Sequence, residues 1–239
     1  MIGLGTIINV AAIVLGGLFG LLFGKALKER HQQTLTMVCG VSTLFIGITG
    51  ALEGMLTVEG AAVVSGKALL VVILLALGGL IGELINIEAG FEKFGNWLKV
   101  KTGSAKDTHF VGGFVTASLT VCIGAMAIVG SLQDGLQGDY SILATKAVLD
   151  LIIVMVMTCS MGKGCLFSAI PVGLLQGSVT LLARLVQPLL IPAALSNLSL
   201  VGSALIFCVG LNLIWKNTVR VANLLPALIV AVAYAFLPF

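Results

Sequence analysis

Residues 121–177 read VCIGAMAIVGSLQDGLQGDY, SILATKAVLDLIIVMVMTCSMGKG and CLFSAIPVGLLQG. The surroundings of this stretch are almost wholly apolar, yet it holds Gln133, Asp134, Lys146, Asp150, Lys163 and Gln176, spaced among glycines and Pro171. A charged side chain placed at the centre of an apolar helix costs roughly 2.5–3.5 kcal/mol on insertion scales, so it is usually kept for function. The apolar context therefore decides the fold class, and the polar groups inside it mark where function is expected.

Working outward, 59% of the 239 residues are hydrophobic and only 10% are charged, with a mean hydropathy of +1.16. A water-soluble chain of this size cannot hide that much apolar surface, so the solvent is lipid. Thirty glycines stand against two tyrosines and two tryptophans, a bias that lets membrane helices approach closely. The apolar runs are continuous rather than alternating, which favours helices over a barrel. The expected class is an all-α polytopic transmembrane bundle, with residues 1–239 forming one domain.

About eight spans are expected, each needing about 20 apolar residues. They fall near residues 2–24, 34–56, 61–85, 109–132, 142–161, 165–190, 198–214 and 219–239. A charged loop is expected over residues 25–33, a turn at 57–60 and a break at 189–197. Lys67 is placed inside the third span. Residues 87–101 carry Ile87, Phe91, Phe94, Trp97 and Leu98 at helical steps, with Glu88, Glu92, Lys93, Lys99 and Lys101 facing away. That pattern predicts an amphipathic helix lying in the interface, anchored by Trp97. The first apolar run lacks a basic n-region and a small-residue cleavage site, so it is expected to be retained as a span. Neither a soluble domain nor a lipidation motif is expected.

The distribution of cations sets an expected orientation. With the N-terminus outside, Lys25, Lys28, Arg30, Lys93, Lys99, Lys101, Lys106, Lys163, Lys216 and Arg220 fall on the cytoplasmic side. Only Lys67, Lys146 and Arg184 are left, and they lie within spans. Glu53, Glu59, Asp134 and Asp139 fall outside, and the C-terminus is expected outside too. A weak internal repeat, SGKALL (65–70) against ATKAVL (144–149), matches the construction of many transporters.

At VCIGAMAIVGSLQDGL and TKAVLD, followed by MGKG and the proline–glycine span ending LLQG, the chain resembles the domain-of-unknown-function-554 family of bacterial membrane proteins. The opening GTIIN and the GELINIE…FEKFG segment fit the same family, so the resemblance covers essentially the whole chain. It implies an integral protein of the bacterial inner (cell) membrane, described as a transporter candidate. It implies neither a substrate nor any site residue.

The candidate site residues come from their placement. Lys146 and Asp150, four apart, share one helix face. They make either a structural ion pair or a site in which Asp150 takes a cation or proton while Lys146 holds it ionised. Asn9 is the strongly polar residue of the first span, suited to an interhelical hydrogen bond or to the site. The segment from Gly130 through Ser131, Gln133 and Asp134 to Gly135 reads as the polar end of a helix, a solvated loop or a cation-binding outer vestibule. Pro171, with Gly173 and Gly177 around Gln176, is expected to kink the sixth span or to open it and free backbone groups. Arg184 lies too deep to snorkel and is expected to need a carboxylate or an anion. Glu83 and Glu53 near span ends, with Lys67, complete the secondary candidates for gating.

No zinc-ligand spacing, P-loop, G-x-G-x-x-G or nucleophile–base pair appears. Neither an enzyme, a cofactor nor a metal is expected, and no basic block suited to nucleic acid is present. The expected partners are the lipid bilayer and a small solute or ion. A homo-oligomer through glycine-rich helix faces is open. The reading favoured is a secondary transporter or ion-coupled permease. The alternatives are a passive channel, which would show single-channel conductance, and a non-transporting scaffold or sensor, in which neutralising Asp150 and Lys146 would alter stability only.

Overall fold

The computed structural model describes residues 1–60, 62–215 and 218–236. Helices α1 (Leu4–Ala26) and α2 (Glu29–Met55) lead into a hairpin, β1 (Leu56–Glu59) and β2 (Ala62–Ser65), then α3 (Ala68–Ile85) and α4 (Ile87–Lys101). Next come α5 (Phe110–Cys122), α6 (Ala125–Gln137), α7 (Ser141–Met161) and a 3-10 turn (Lys163–Ser168) that runs into α8 (Ala169–Leu181). The chain closes with α9 (Ala183–Val186), a second 3-10 turn (Gln187–Leu189), α10 (Pro192–Trp215), α11 (Val221–Leu224) and α12 (Pro226–Tyr234). The helical bundle is as expected. The antiparallel hairpin, with Leu56 opposite Ser65, is an addition to it.

The span count differs from expectation. Among the described residues, six helices are long and apolar enough to cross a bilayer: α1, α2, α3, α7, the first 3-10 turn with α8, and α10. A seventh would be α5 with α6, which meet at 61°. The fourth span is therefore broken at Ile123 and Gly124, where glycine takes φ 144, a backbone that L side chains rarely adopt. The last expected span shortens to Val221–Tyr234, and within it Pro226 opens a new helix, α12. Residues 237–239 of that span, Ala61 of the third, Lys216 and the side chain of Glu59 lie outside the described residues.

Three boundaries move for identifiable reasons. The charged loop at 25–33 shrinks to Leu27 and Lys28, since Gln32 Nε2 donates to the carbonyls of Gly24 and Leu27 and closes the end of α1. The turn at 57–60 becomes a hairpin, with Gly60 at φ 65 and β-branched neighbours that favour extended backbone. The third span consequently starts at Ala68, and Lys67 stands before it at φ 62 rather than within it. The helix expected over residues 87–101 forms with those bounds as α4. Gly95 and Leu98 of α4 are buried, while Trp97 stays exposed and stacks on Phe94 at 5.7 Å.

Glycines set the packing. A Cβ on Gly16 or Gly20 of α1 would strike the carbonyl oxygens of Leu151 or Met155 on α7. One on Gly47 of α2 would strike the backbone of Phe207 on α10, and one on Gly78 or Gly82 of α3 would strike Ala227 or Asn223. The stripes considered for an oligomer are thus occupied within the chain. These contacts also sort the helix ends. The start of α1, the end of α6, the start of α7 and the end of α8 meet through Gly5, Leu143, Gly135 and Thr180. At the opposite end, Gly24 meets Cys159, Gly113 meets Met161, and Gly164 meets Phe110.

Candidate functional site

Four polar side chains from three helices converge inside the bundle. Lys146 Nζ donates to both carboxylate oxygens of Asp150, at 2.7 and 2.6 Å. Asn9 Nδ2 donates to Asp150 Oδ2 at 3.0 Å and to Gln176 Oε1 at 3.3 Å. Asn9 and Gln176 are fully buried, and Asp150 and Lys146 are 2% and 7% exposed. Asp150 lies nine residues into α7, about 14 Å from its start at 1.5 Å per residue, near the middle of a bilayer core.

Local sequence explains the convergence. Lys146 and Asp150 share a face of α7 by their four-residue step. The close α1–α7 seam of glycines brings Asn9 against that face. Gln176 comes from α8, whose buried side is Val172, Gln176 and Thr180. Two atoms of the cluster, Asn9 Oδ1 and Gln176 Nε2, are buried and have no hydrogen-bond partner. Buried polar groups in native proteins are nearly always paired, so an unpaired acceptor beside an unpaired donor marks a place able to hold a small polar ligand.

Asp134 and its neighbours are arranged differently from the expectation. Residues 130–135 are helical and form the last turns of α6, which ends at Gln137. Asp134 is fully buried and accepts the backbone N–H groups of Gly3 and Gly5, at 3.1 and 3.0 Å. It caps the positive end of α1, which removes it from any outer vestibule. Ser131 is buried and donates to the Ala127 carbonyl at 2.6 Å. Gln133 is partly buried one residue before Asp134 and is not joined to the cluster.

The secondary candidates scatter. Pro171 falls in the first turn of α8, where its missing N–H costs nothing. The helix continues through Gly173 and Gly177, so Gln176 lies in regular helix and the sixth span is not opened there. Arg184 is exposed beyond the end of α8, without a partner among the described residues. It needs no buried counter-ion. Lys67 is exposed and donates to Ser196 Oγ at 3.2 Å, unlike the buried Lys146. Glu53 is exposed at the end of α2.

Glu83 pairs with Arg220 at 2.9 Å and accepts from Asn223 Nδ2 at 3.0 Å. Asn223 Oδ1 accepts the Glu88 N–H, and Glu88 accepts the Ala222 N–H. This latch joins the α3–α4 corner to α11, a role the sequence did not assign to Glu88, Asn223 or Arg220.

Sequence reasoning also missed Thr6 and Thr180, whose hydroxyls lie 3.5 Å apart. Thr180 Oγ1 donates to the Ser131 carbonyl as well. Both threonines flank the cluster, three residues before Asn9 and four after Gln176, and that spacing was readable.

The fold and the cluster together define a polytopic α-helical membrane protein with ionisable side chains enclosed among its helices. The family model described as a protein of unknown function, DUF554, matches residues 4–236, and the chain belongs to that family. It is 30% identical to the uncharacterized membrane protein YdfK of Bacillus subtilis (strain 168), over 95% of this chain and 93% of that one. It is 31% identical to the uncharacterized protein YqgA of Escherichia coli (strain K12), over 95% of this chain and 94% of that one. No solved structure matches the chain.

Proposed function

We propose that this protein is a secondary transporter for a small solute or ion in the bacterial cell membrane, with Asp150 at its centre. One observation carries the reading. Asn9, Lys146, Asp150 and Gln176 meet near mid-membrane and leave one acceptor and one donor unpaired. Asp150 takes up and releases the coupled cation or proton. Lys146 neutralises it when the site is empty, and Asn9 and Gln176 position both the carboxylate and the cargo. An ion pair retained only for stability would be expected to satisfy its neighbours, because each buried unsatisfied group costs about 1–3 kcal/mol.

The lysine-rich end of the bundle, bearing Lys25, Lys28, Lys99, Lys101 and Lys163, is the cytoplasmic end in this reading. The start of α1 then faces outside. A terminal-tag accessibility assay in spheroplasts checks that orientation.

Purified protein in proteoliposomes, offered a solute panel under imposed proton and sodium gradients, provides the test. Wild type is expected to exceed empty vesicles, and Asp150→Asn is expected to lose gradient-driven uptake while eluting as a folded protein. Normal uptake by folded Asp150→Asn would overturn the assignment, as would wild type without flux on any gradient.

A further inference from the structure

We infer that the route through this protein continues from the Asp150 cluster to a cleft at the lysine-rich end, and that Ile13, Val154 and Val172 are the apolar gate that closes it. The inference rests on the transporter reading and extends it to residues outside the cluster.

Three columns of side chains, each advancing four residues per step along one helix face, carry it. On α1 the column runs Gly5, Asn9, Ile13, Gly17; on α7 it runs Lys146, Asp150, Val154, Thr158. Along α8 the direction reverses, giving Thr180, Gln176, Val172 and, at the end of the 3-10 turn, Ser168. All three columns therefore change from polar to apolar at the same step. Ile13, Val154 and Val172 are each fully buried and belong to one continuous apolar core. One step beyond them, toward the lysine-rich end, polarity returns as Thr158 and Ser168.

Four of the five buried side-chain atoms without a partner among the described residues have the same arrangement, the fifth being Ser118 Oγ on α5. Asn9 Oδ1 and Gln176 Nε2 are buried without partners on one side of the apolar layer, and Thr158 Oγ1 and Ser168 Oγ are buried without partners on the other. Thr158 lines a cleft of about 320 Å³ with Gly20, Gly24, Lys25, Gln32 and His109. An apolar layer one side chain deep separates two sets of groups that each lack a partner for hydrogen bonding. Such a constriction excludes water and ions until its side chains separate.

Chemical accessibility tests this without any transported solute. In a background lacking the native cysteines, Ser160→Cys and Thr180→Cys are single reporters for a charged, membrane-impermeant thiol reagent applied to oriented vesicles. Ser160→Cys, half-buried in the same cleft, is expected to react from the lysine-rich side, and Thr180→Cys to be protected from that side. Trimming the gate with Ile13→Ala and Val154→Ala should speed modification of Thr180→Cys from that side roughly tenfold or more, because the removed methyl groups leave space. Val172→Ala provides a second opening should the double variant not fold. The proposal is overturned if Ser160→Cys is inert from the lysine-rich side, or if Thr180→Cys is no faster in any folded trimmed variant. Absence of flux in wild type, with both reporters behaving as expected, would count against transport while leaving the gated path in place.

Discussion

The α1–α7 and α2–α10 interfaces are built by the same device and differ in what they enclose. In each, glycines bring one helix onto the backbone of its neighbour: Gly16 on Leu151 in the first, Gly47 on Phe207 in the second. The α2–α10 seam holds polar groups that satisfy themselves. Thr43 donates to the Cys39 carbonyl at 2.8 Å, and Ser203 to the Ser199 carbonyl at 2.8 Å. The α1–α7 seam holds Asn9, Lys146 and Asp150, which need one another and still leave atoms unpaired. Close packing is thus a general solution here, whereas interdependent polarity is confined to one seam. That contrast is what identifies the site.

The largest expected effect breaks the comparison at its charged pair. Lys146→Met leaves a buried carboxylate uncompensated and should destabilise the protein by about 3–5 kcal/mol. The double variant Lys146→Met, Asp150→Asn should recover much of that loss. Thermal unfolding in detergent measures both. A single variant as stable as wild type would mean that Asp150 is not left as a buried, uncompensated carboxylate, because it is protonated or reached by water.

Next in size are the glycines themselves. Gly16→Ala and Gly47→Ala should each cost about 1–3 kcal/mol by overpacking. Equal losses of stability with unequal losses of activity are expected, since only Gly16 sets the distance between Asn9 and Asp150. If both variants lost activity alike, the two seams would not be functionally distinct.

Much of this was legible in the sequence, and the rest failed for reasons that can be named. Continuous apolar runs gave the helical bundle, and the 87–101 periodicity gave α4 with its bounds. Lys146, Asp150, Gln176 and Asn9 were legible because polarity inside such runs is costly. What could not be read was three-dimensional satisfaction. Asp134 looked exposed among glycines and polar neighbours, yet the N–H groups of Gly3 and Gly5 bury it. Arg184 looked deep only because the end of α8 at Leu181 was placed too late. Pro171 looked like a break, but a helix start accommodates proline. The four-residue columns through Asn9, Asp150 and Gln176 were present in the sequence all along. They acquire meaning only once α1, α7 and α8 are known to be neighbours.

A smaller effect follows from Asp134 as a cap. Asp134→Ala should cost about 0.5–2 kcal/mol, the usual range for losing a capping side chain. Asp134→Asn should cost less, because its amide oxygen still accepts one of the two N–H groups. Hydrogen exchange at the start of α1 would localise the loss. Protection unchanged in Asp134→Ala would show that α1 is held by the Leu143 contact alone.

The smallest effect sharpens the contrast between two carboxylates that each accept a backbone N–H from another helix, Asp134 inside the bundle and Glu88 at its rim. Burial pushes the Glu88 carboxyl above its ordinary value, with Glu92 and Glu83 adding to the rise while the Ala222 N–H and Arg220 oppose it. A raised folded-state value means that Glu88 contributes its stability fully below the ordinary glutamate range. The contribution is lost as pH rises through the higher value. In Glu88→Gln the amide oxygen keeps the Ala222 bond and nothing titrates. The variant should therefore gain on wild type as pH rises from about 4 to about 8, by less than about 1 kcal/mol because the group is partly exposed and screened. Melting temperatures of both proteins across that range measure the difference. If wild type instead gained on the variant with rising pH, the Ala222 N–H and Arg220 would outweigh burial at this site, and the latch would be held by charge.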